Sequence, residues 1–189
     1  MKRRMLELLI LAVASCVAVP GDSLAATKEE LQAKERKVAE ETLLRLYKIQ
    51  PAARAKVEKL AGYAVFTNFG MKILVAGGGK GQGIAVDNKT HRETFMKMVE
   101  MQAGLGFGAK KFRLIWVFDT PAAFDSFVNK GWELGAQATA AAQYEGQGTA
   151  TAGAMPVSAG VWLYQLTDDG LALELTAKGT KYYRDEALN

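Results

Sequence analysis

Residues 75–86 read Val-Ala-Gly-Gly-Gly-Lys-Gly-Gln-Gly-Ile-Ala-Val, five glycines and one lysine between apolar flanks. Two structures use such a stretch: a loop that cradles phosphate, or strands and turns whose backbone a neighbour approaches closely. A Walker-type loop needs Ser or Thr after its Gly-Lys pair, because that hydroxyl binds magnesium. Here Gly81 follows Gly79-Lys80. The dinucleotide pattern Gly-x-Gly-x-x-Gly fails too, ending on Gln82 when begun at Gly77 and on Ile84 when begun at Gly79. Both motifs require a helix directly after the loop, and Gln82 to Asp87 has no helical apolar spacing. The stretch therefore reads as two strand ends and a tight turn, with Lys80 at the tip.

The 189 residues suffice for one domain with a sizeable core. Of the 24 basic residues, Lys2, Arg3 and Arg4 precede Thr27, as do Glu7 and Asp22 of the 20 acidic ones. The remainder carries 21 basic and 18 acidic residues, a net charge of +3. That is too mild to argue for nucleic acid, and it allows a weakly basic face.

Residues 1–26 read as an export signal. Lys2-Arg3-Arg4 is the positive start, Leu8 to Val19 is apolar, Pro20-Gly21 breaks the run, and Ser23-Leu24-Ala25 offers a cleavage site. The lone cysteine, Cys16, lies inside this leader. Val13-Ala14-Ser15-Cys16 resembles a lipobox, in which cleavage precedes a cysteine that is then acylated. The other reading is a leader cysteine discarded on cleavage. Either way the domain expected at 27–189 has no disulfide, and its location is the periplasm or the outer membrane.

A helix is expected over Thr27–Ile49, capped by Thr27, with Leu31, Val38, Thr42, Leu46 and Ile49 at helical spacing and Leu43 and Tyr47 widening the stripe. Its first half, rich in Lys, Glu and Arg, reads as solvated. A short helix over Ala52–Leu60 should end at Gly62. From Tyr63 the pattern turns to β. Candidate strands are Tyr63–Asn68, Met71–Ala76, Gln82–Asp87, Thr94–Gln102, Gly104–Ala109 and Lys111–Phe118. Thr120-Pro121 opens a helix to about Asn129. Trp132–Gln143 favours a strand, and Glu145–Gly153 reads as a loop. Val161–Leu166 and Leu171–Ala177 form a hairpin across Asp168-Asp169-Gly170. Tyr182–Leu188 is expected as a helical turn. In Lys111–Phe118 one side carries Phe112, Leu114, Trp116 and Phe118 and reads as core. The other begins with Lys111 and Arg113 and ends with Ile115 and Val117.

Catalytic sets are scarce. With one histidine, His91, and no cysteine beyond the leader, neither a Cys/His dyad nor a multi-Cys/His metal site can be assembled. Ser126 and Ser158 lack the elbow of a nucleophilic serine. Asp168-Asp169 is explained by a hairpin turn. No catalytic residue, metal or cofactor is assigned, and a hydrolase using Asp168, Asp169 and His91 is the least supported reading.

Together these segments resemble the SYLF domain family of lipid-binding domains. The likeness rests on Leu60-Ala61-Gly62-Tyr63-Ala64-Val65-Phe66, on Ala76 to Gly83 with its apolar flanks, on Gly104-Leu105-Gly106-Phe107-Gly108, on Phe124-Asp125-Ser126-Phe127, on Gly170-Leu171-Ala172-Leu173 and on Gly179 to Tyr183. It runs from about Pro51 to Tyr183. What it implies is lipid or phosphoinositide binding without catalysis, and for some eukaryotic members work with actin. The chain departs in its leader and in showing no SH3 or FYVE segment.

The expected fold is α+β: a curved antiparallel sheet closing toward a barrel, with N-terminal helices and one helix packed on it. The expected role is a non-catalytic lipid-binding protein of the bacterial envelope, with anionic phospholipid or a membrane surface as partner. Candidate lipid contacts are Lys72, Lys80, Lys110, Lys111 and Arg113, with Cys16 as the candidate acylation site. The alternative is a structural or protein-interaction domain without a lipid ligand.

Overall fold

The computed structural model describes residues 26–73, 76–103, 108–134, 153–168, 170–172 and 179–189. Helix α1 spans Lys28–Ile49. Its N-cap is a full capping box: the Glu30 N–H donates to Thr27 Oγ1 at 3.2 Å, and the Thr27 N–H donates to Glu30 Oε2 at 2.8 Å. The buried side of α1 is Glu35, Ala39, Thr42 and Leu46. Two expectations for this helix fail. Ile49 is 42% exposed, and Glu35, on the half read as solvated, is only 6% exposed.

Helix α2 spans Ala52–Lys59. Gly62 does not end it. The α2 terminus is closed from a distance by Asn88, whose Nδ2 donates to the carbonyls of Val57 and Leu60, both at 2.7 Å. Gly62 serves packing instead, because a Cβ there would lie 2.6 Å from the Phe124 ring.

The strands are β1 Gly62–Ile73, β2 Ala76–Asp87, β3 Glu93–Ala103, β4 Gly108–Phe118, β5 Trp132–Leu134, β6 Met155–Ser158, β7 Val161–Thr167, β8 Gly170–Ala172 and β9 Thr180–Arg184. All pair antiparallel in one curled sheet of order β5-β9-β3-β2-β1-β4-β7-β6, with β8 on β7. Among the described residues no pairing joins its two ends, so the sheet is a half-barrel. Helix α3, Pro121–Lys130, is capped by Thr120 as expected and packs on one face.

The glycine stretch is where the structure departs most from the expected local form. Ile73 already pairs with Ala76, and Gly77 to Gly83 run inside β2. Lys80 is therefore mid-strand, not at a tip, and Met71 to Ile73 continue β1. No helix follows β2, which removes the phosphate-loop geometry. The C-terminal segment differs as well: Thr180–Arg184 is a strand, and only the residues after it turn. The expected elements over 104–107, 135–152 and 173–178 lie outside the described residues.

Two cores sit on the two faces of the sheet. On the α3 face, Phe66, Met96, Met98, Leu114, Trp116, Phe118 and Tyr182 pack with Phe124 and Phe127. The Phe127 ring is the hub, with centroids 4.9 Å from Phe118, 5.4 Å from Trp116 and 5.6 Å from Tyr182. On the α1 face, Val65, Ile84, Phe95, Ile115 and Val117 meet Ala39, Leu46, Ala53 and Val57. The sequence pattern of β4 thus holds, with both of its faces buried at the C-terminal end.

Alternation explains the glycines. Gly81 and Gly83 share the α3 face with Ala85. A Cβ on Gly81 would meet the Thr67 carbonyl and lie 2.5 Å from Met98 Cγ, and one on Gly83 would lie 2.5 Å from Phe66 Cδ1. Gly78 points the other way, with nothing nearer than 3.4 Å. Gly81→Ala should therefore cost about 1–3 kcal/mol by overpacking, whereas Gly78→Ala should stay within about 0.5 kcal/mol. Urea unfolding of both variants measures this, and equal losses would contradict the one-sided role of the glycines.

Candidate functional site

Along the α1 face the strands change character. Beneath the helices the row Ile115, Val65, Ile84 and Phe95 is apolar and buried. The next row on that face, two residues further along each strand, is polar and cationic. Register joins Leu166 to Arg113, Arg113 to Thr67, Thr67 to Gln82, Gln82 to Lys97 and Lys97 to Tyr183, one ladder across six strands. All six residues line a single cavity of about 770 Å³. Lys80 and Lys111 line it further out, and Val38 and Arg45 of α1 contribute to its wall.

The cavity gathers five cations, Arg45, Lys80, Lys97, Lys111 and Arg113, against one carboxylate, the exposed Asp168. They differ in how they are held. Arg45 Nη2 donates to the Thr167 carbonyl at 2.6 Å and the Asp168 carbonyl at 3.1 Å, which ties α1 to the β7–β8 hairpin. Lys97 Nζ donates to Asp185 Oδ1 at 2.8 Å, and Asp185 is 2% exposed. Lys80 is exposed and Arg113 is half-buried, and neither makes an ion pair among the described residues. Two positively charged side chains thus face the cavity with their donors available. Arg113 in particular presents a planar fork suited to bidentate contact with carboxylate or phosphate.

Of the five cations singled out in the sequence, Lys80, Lys111 and Arg113 come together here. Lys110 pairs in register with Gly70, and Lys72 with Gly77 and Gly108; only their backbones are described. Cys16 lies outside the described residues. Arg45 and Lys97 were missed. Lys97 shares its face of β3 with Phe95 and Val99, but its neighbourhood to Arg113 appears only once the β1, β2 and β4 registers are known. Arg45 sits on a helix whose approach to β7 has no local signal.

A second cavity of about 500 Å³ lies between α1, α2 and the β2–β3 turn, with Leu43, Val57, Ile84, Tyr47 and Tyr63 among its lining. Its arginines are engaged. Arg36 pairs with Glu93 at 2.7 Å, and the Arg54 guanidinium stacks on the Tyr47 ring at 4.8 Å, with Glu58 3.8 Å away. Burial, aided by the negative charge of Glu58, pushes the Tyr47 phenol up to about 12. His91 lines this second cavity whereas Asp168 lines the first, so these two residues do not share a site.

Comparison with known proteins agrees with the family suggested by the sequence. Residues 99–189 match the family model described as Ysc84, Las17-binding protein actin regulator. A protein of Aeromonas veronii named beta cell expansion factor A is 32% identical over 162 residues. The aligned region is 86% of this chain and 60% of that protein, so the chain spans about three fifths of that relative's length. The match over residues 99–189 agrees with the SYLF likeness read from the sequence.

Proposed function

We propose that this protein is a peripheral phospholipid-binding domain of the bacterial cell envelope, taking lipid phosphate into the cation cavity and acting by binding. Likeness to the family supports a lipid-binding or interaction domain in general. The observation that carries the finer reading is the convergence of Arg45, Lys80, Lys97, Lys111 and Arg113, from α1, β2, β3 and β4, on one cavity. Polar groups of Thr67, Gln82 and Tyr183 line the same floor. They offer hydrogen bonds to a head group.

Magnitude sets the expected strength. A cation near an anionic surface contributes about 1 kcal/mol, and about 4 kcal/mol corresponds to millimolar affinity. Five cations, one of them already neutralised by Asp185, therefore give reversible attachment. A firm anchor needs an acyl chain or apolar insertion. The family description, which names binding to a protein, favours a second reading: an interaction domain without a lipid ligand.

Co-sedimentation with phosphatidylglycerol vesicles separates the two. Lys80→Glu removes one cation and adds an anion, about 2 kcal/mol by the same rule, so binding should fall roughly thirtyfold. Lys89→Glu, in the turn after β2 and outside the cavity lining, should bind like the parent. Equal binding by all three proteins, or no preference over phosphatidylcholine, contradicts the lipid reading.

The envelope location rests on the leader read at 1–26. Mass spectrometry of the protein from its own cells should find a chain cleaved near Ala25, or one that begins at an acylated Cys16. A chain that retains Met1 through Cys16 contradicts export.

A further inference from the structure

The α1 face of the sheet continues past the cation cavity. Two residues beyond its floor, register makes the line Lys111, Phe69, Lys80, Val99 and Lys181 across five strands. All three of its lysines are exposed, and Lys181 Nζ lies 3.2 Å from Glu133 Oε1. Two residues further on stands the line Ala109, Met71, Gly78 and Met101, and after it Ile73, Ala76 and Ala103. The two-residue period of a strand keeps all three lines on the α1 face. Neither of the outer two carries a charged residue. Met101, at 77%, is the most exposed large apolar side chain among the described residues. The other members of these outer lines hold their places by register.

One exposed methionine is ordinary on a protein surface. Its position here is not, because it stands past a row of lysines that borders a cavity of cations. The two faces of this end also differ. On the other face Lys110 shares a line with Gly70, and Lys72 with Gly77 and Gly108, so the uncharged lines belong to the α1 side alone.

We infer that this end of β1, β2, β3 and β4 enters an anionic phospholipid bilayer obliquely, α1 side first. The lysine line lies at the phosphates, and the lines of Met101 and Ile73 reach the acyl chains. This rests on the reading of the protein as a lipid-binding domain, and it supplies the apolar insertion that the cations alone lack. The dimensions agree. A strand rises about 3.4 Å per residue, which places the outer lines about 7 Å and about 14 Å beyond the lysines. The head-group layer of one leaflet is about 5–8 Å thick. Lysines at the phosphates therefore set Met101 at the start of the hydrocarbon. Lys72 and Lys110 keep the entry shallow and tilted, because a charge within the hydrocarbon is costly.

A polarity-sensitive fluorophore on a cysteine tests the depth, in a Cys16→Ser background that leaves no other thiol. On Met101→Cys it should brighten and shift to the blue when phosphatidylglycerol vesicles are added, and a nitroxide high on the acyl chain should quench it. On Lys89→Cys, past the other end of β2, it should do neither. Met101→Ser should bind these vesicles about tenfold more weakly, the factor expected for one methionine left in water, and Met101→Leu should bind like the parent. Vesicle binding with a silent probe at 101, or with Met101→Ser as tight as the parent, overturns the insertion and leaves the lipid reading standing. No vesicle binding by any of these proteins overturns both. A blue shift that grows with protein concentration in the absence of vesicles assigns this end to a second copy of the chain and overturns the insertion.

Discussion

The contact between β1 and β2 is closer, side chain to backbone, than any residue with a Cβ allows at positions 81 and 83. The rest of the molecule follows from this. Because β2 offers no side chains there, Phe66 and Met98 lie directly against it, and the aromatic cluster around Phe127 closes over that face. The α3 face is consequently filled by rings from neighbouring strands, not by the central strand. β2 turns the cavity-lining side chains Lys80 and Gln82 to the opposite face, together with the apolar Ile84.

That opposite face is graded along the strand direction. Its first rows are apolar and lie under α1 and α2. The row that follows, from Leu166 through Arg113, Thr67, Gln82 and Lys97 to Tyr183, is the floor of the cavity. Antiparallel pairing makes such a row from residues far apart in sequence, because one register places one residue from every strand on a transverse line. The cations are brought close by sheet geometry, and the stability of the two cores offsets the repulsion between them. α1 then has two tasks. It covers the apolar rows, and through Arg45 and Val38 it supplies part of the cavity wall.

The sequence was most legible where a local signal has a local cause. Thr27 announced α1, Thr120-Pro121 announced α3, and Asp168 to Gly170 announced the β7–β8 hairpin. It misled where the cause is tertiary. Glycines 77 to 83 looked like a turn because glycine is common in turns. Their period of two is masked by Gly78, and the reason for it lies on β1 and β3. Gly62 looked like a helix stop, while the actual stop is Asn88, far along the chain. Tyr182 looked helical because β9 has too few residues to display alternation. Glu35 looked solvated, since nothing nearby in the sequence marks it as buried. Three of the cavity cations were found from their place beside glycine-rich strands. Arg45 and Lys97 needed the register and the helix placement.

The central claim is that anionic lipid meets the protein at this cavity. Hydrogen–deuterium exchange with and without phosphatidylglycerol vesicles reads the contact directly along the chain. The account predicts added protection at residues 80–82, 97–99, 111–113 and 166–168, with none at α3. Protection centred on α3, or no change anywhere on the α1 face while the protein is vesicle-bound, would contradict it.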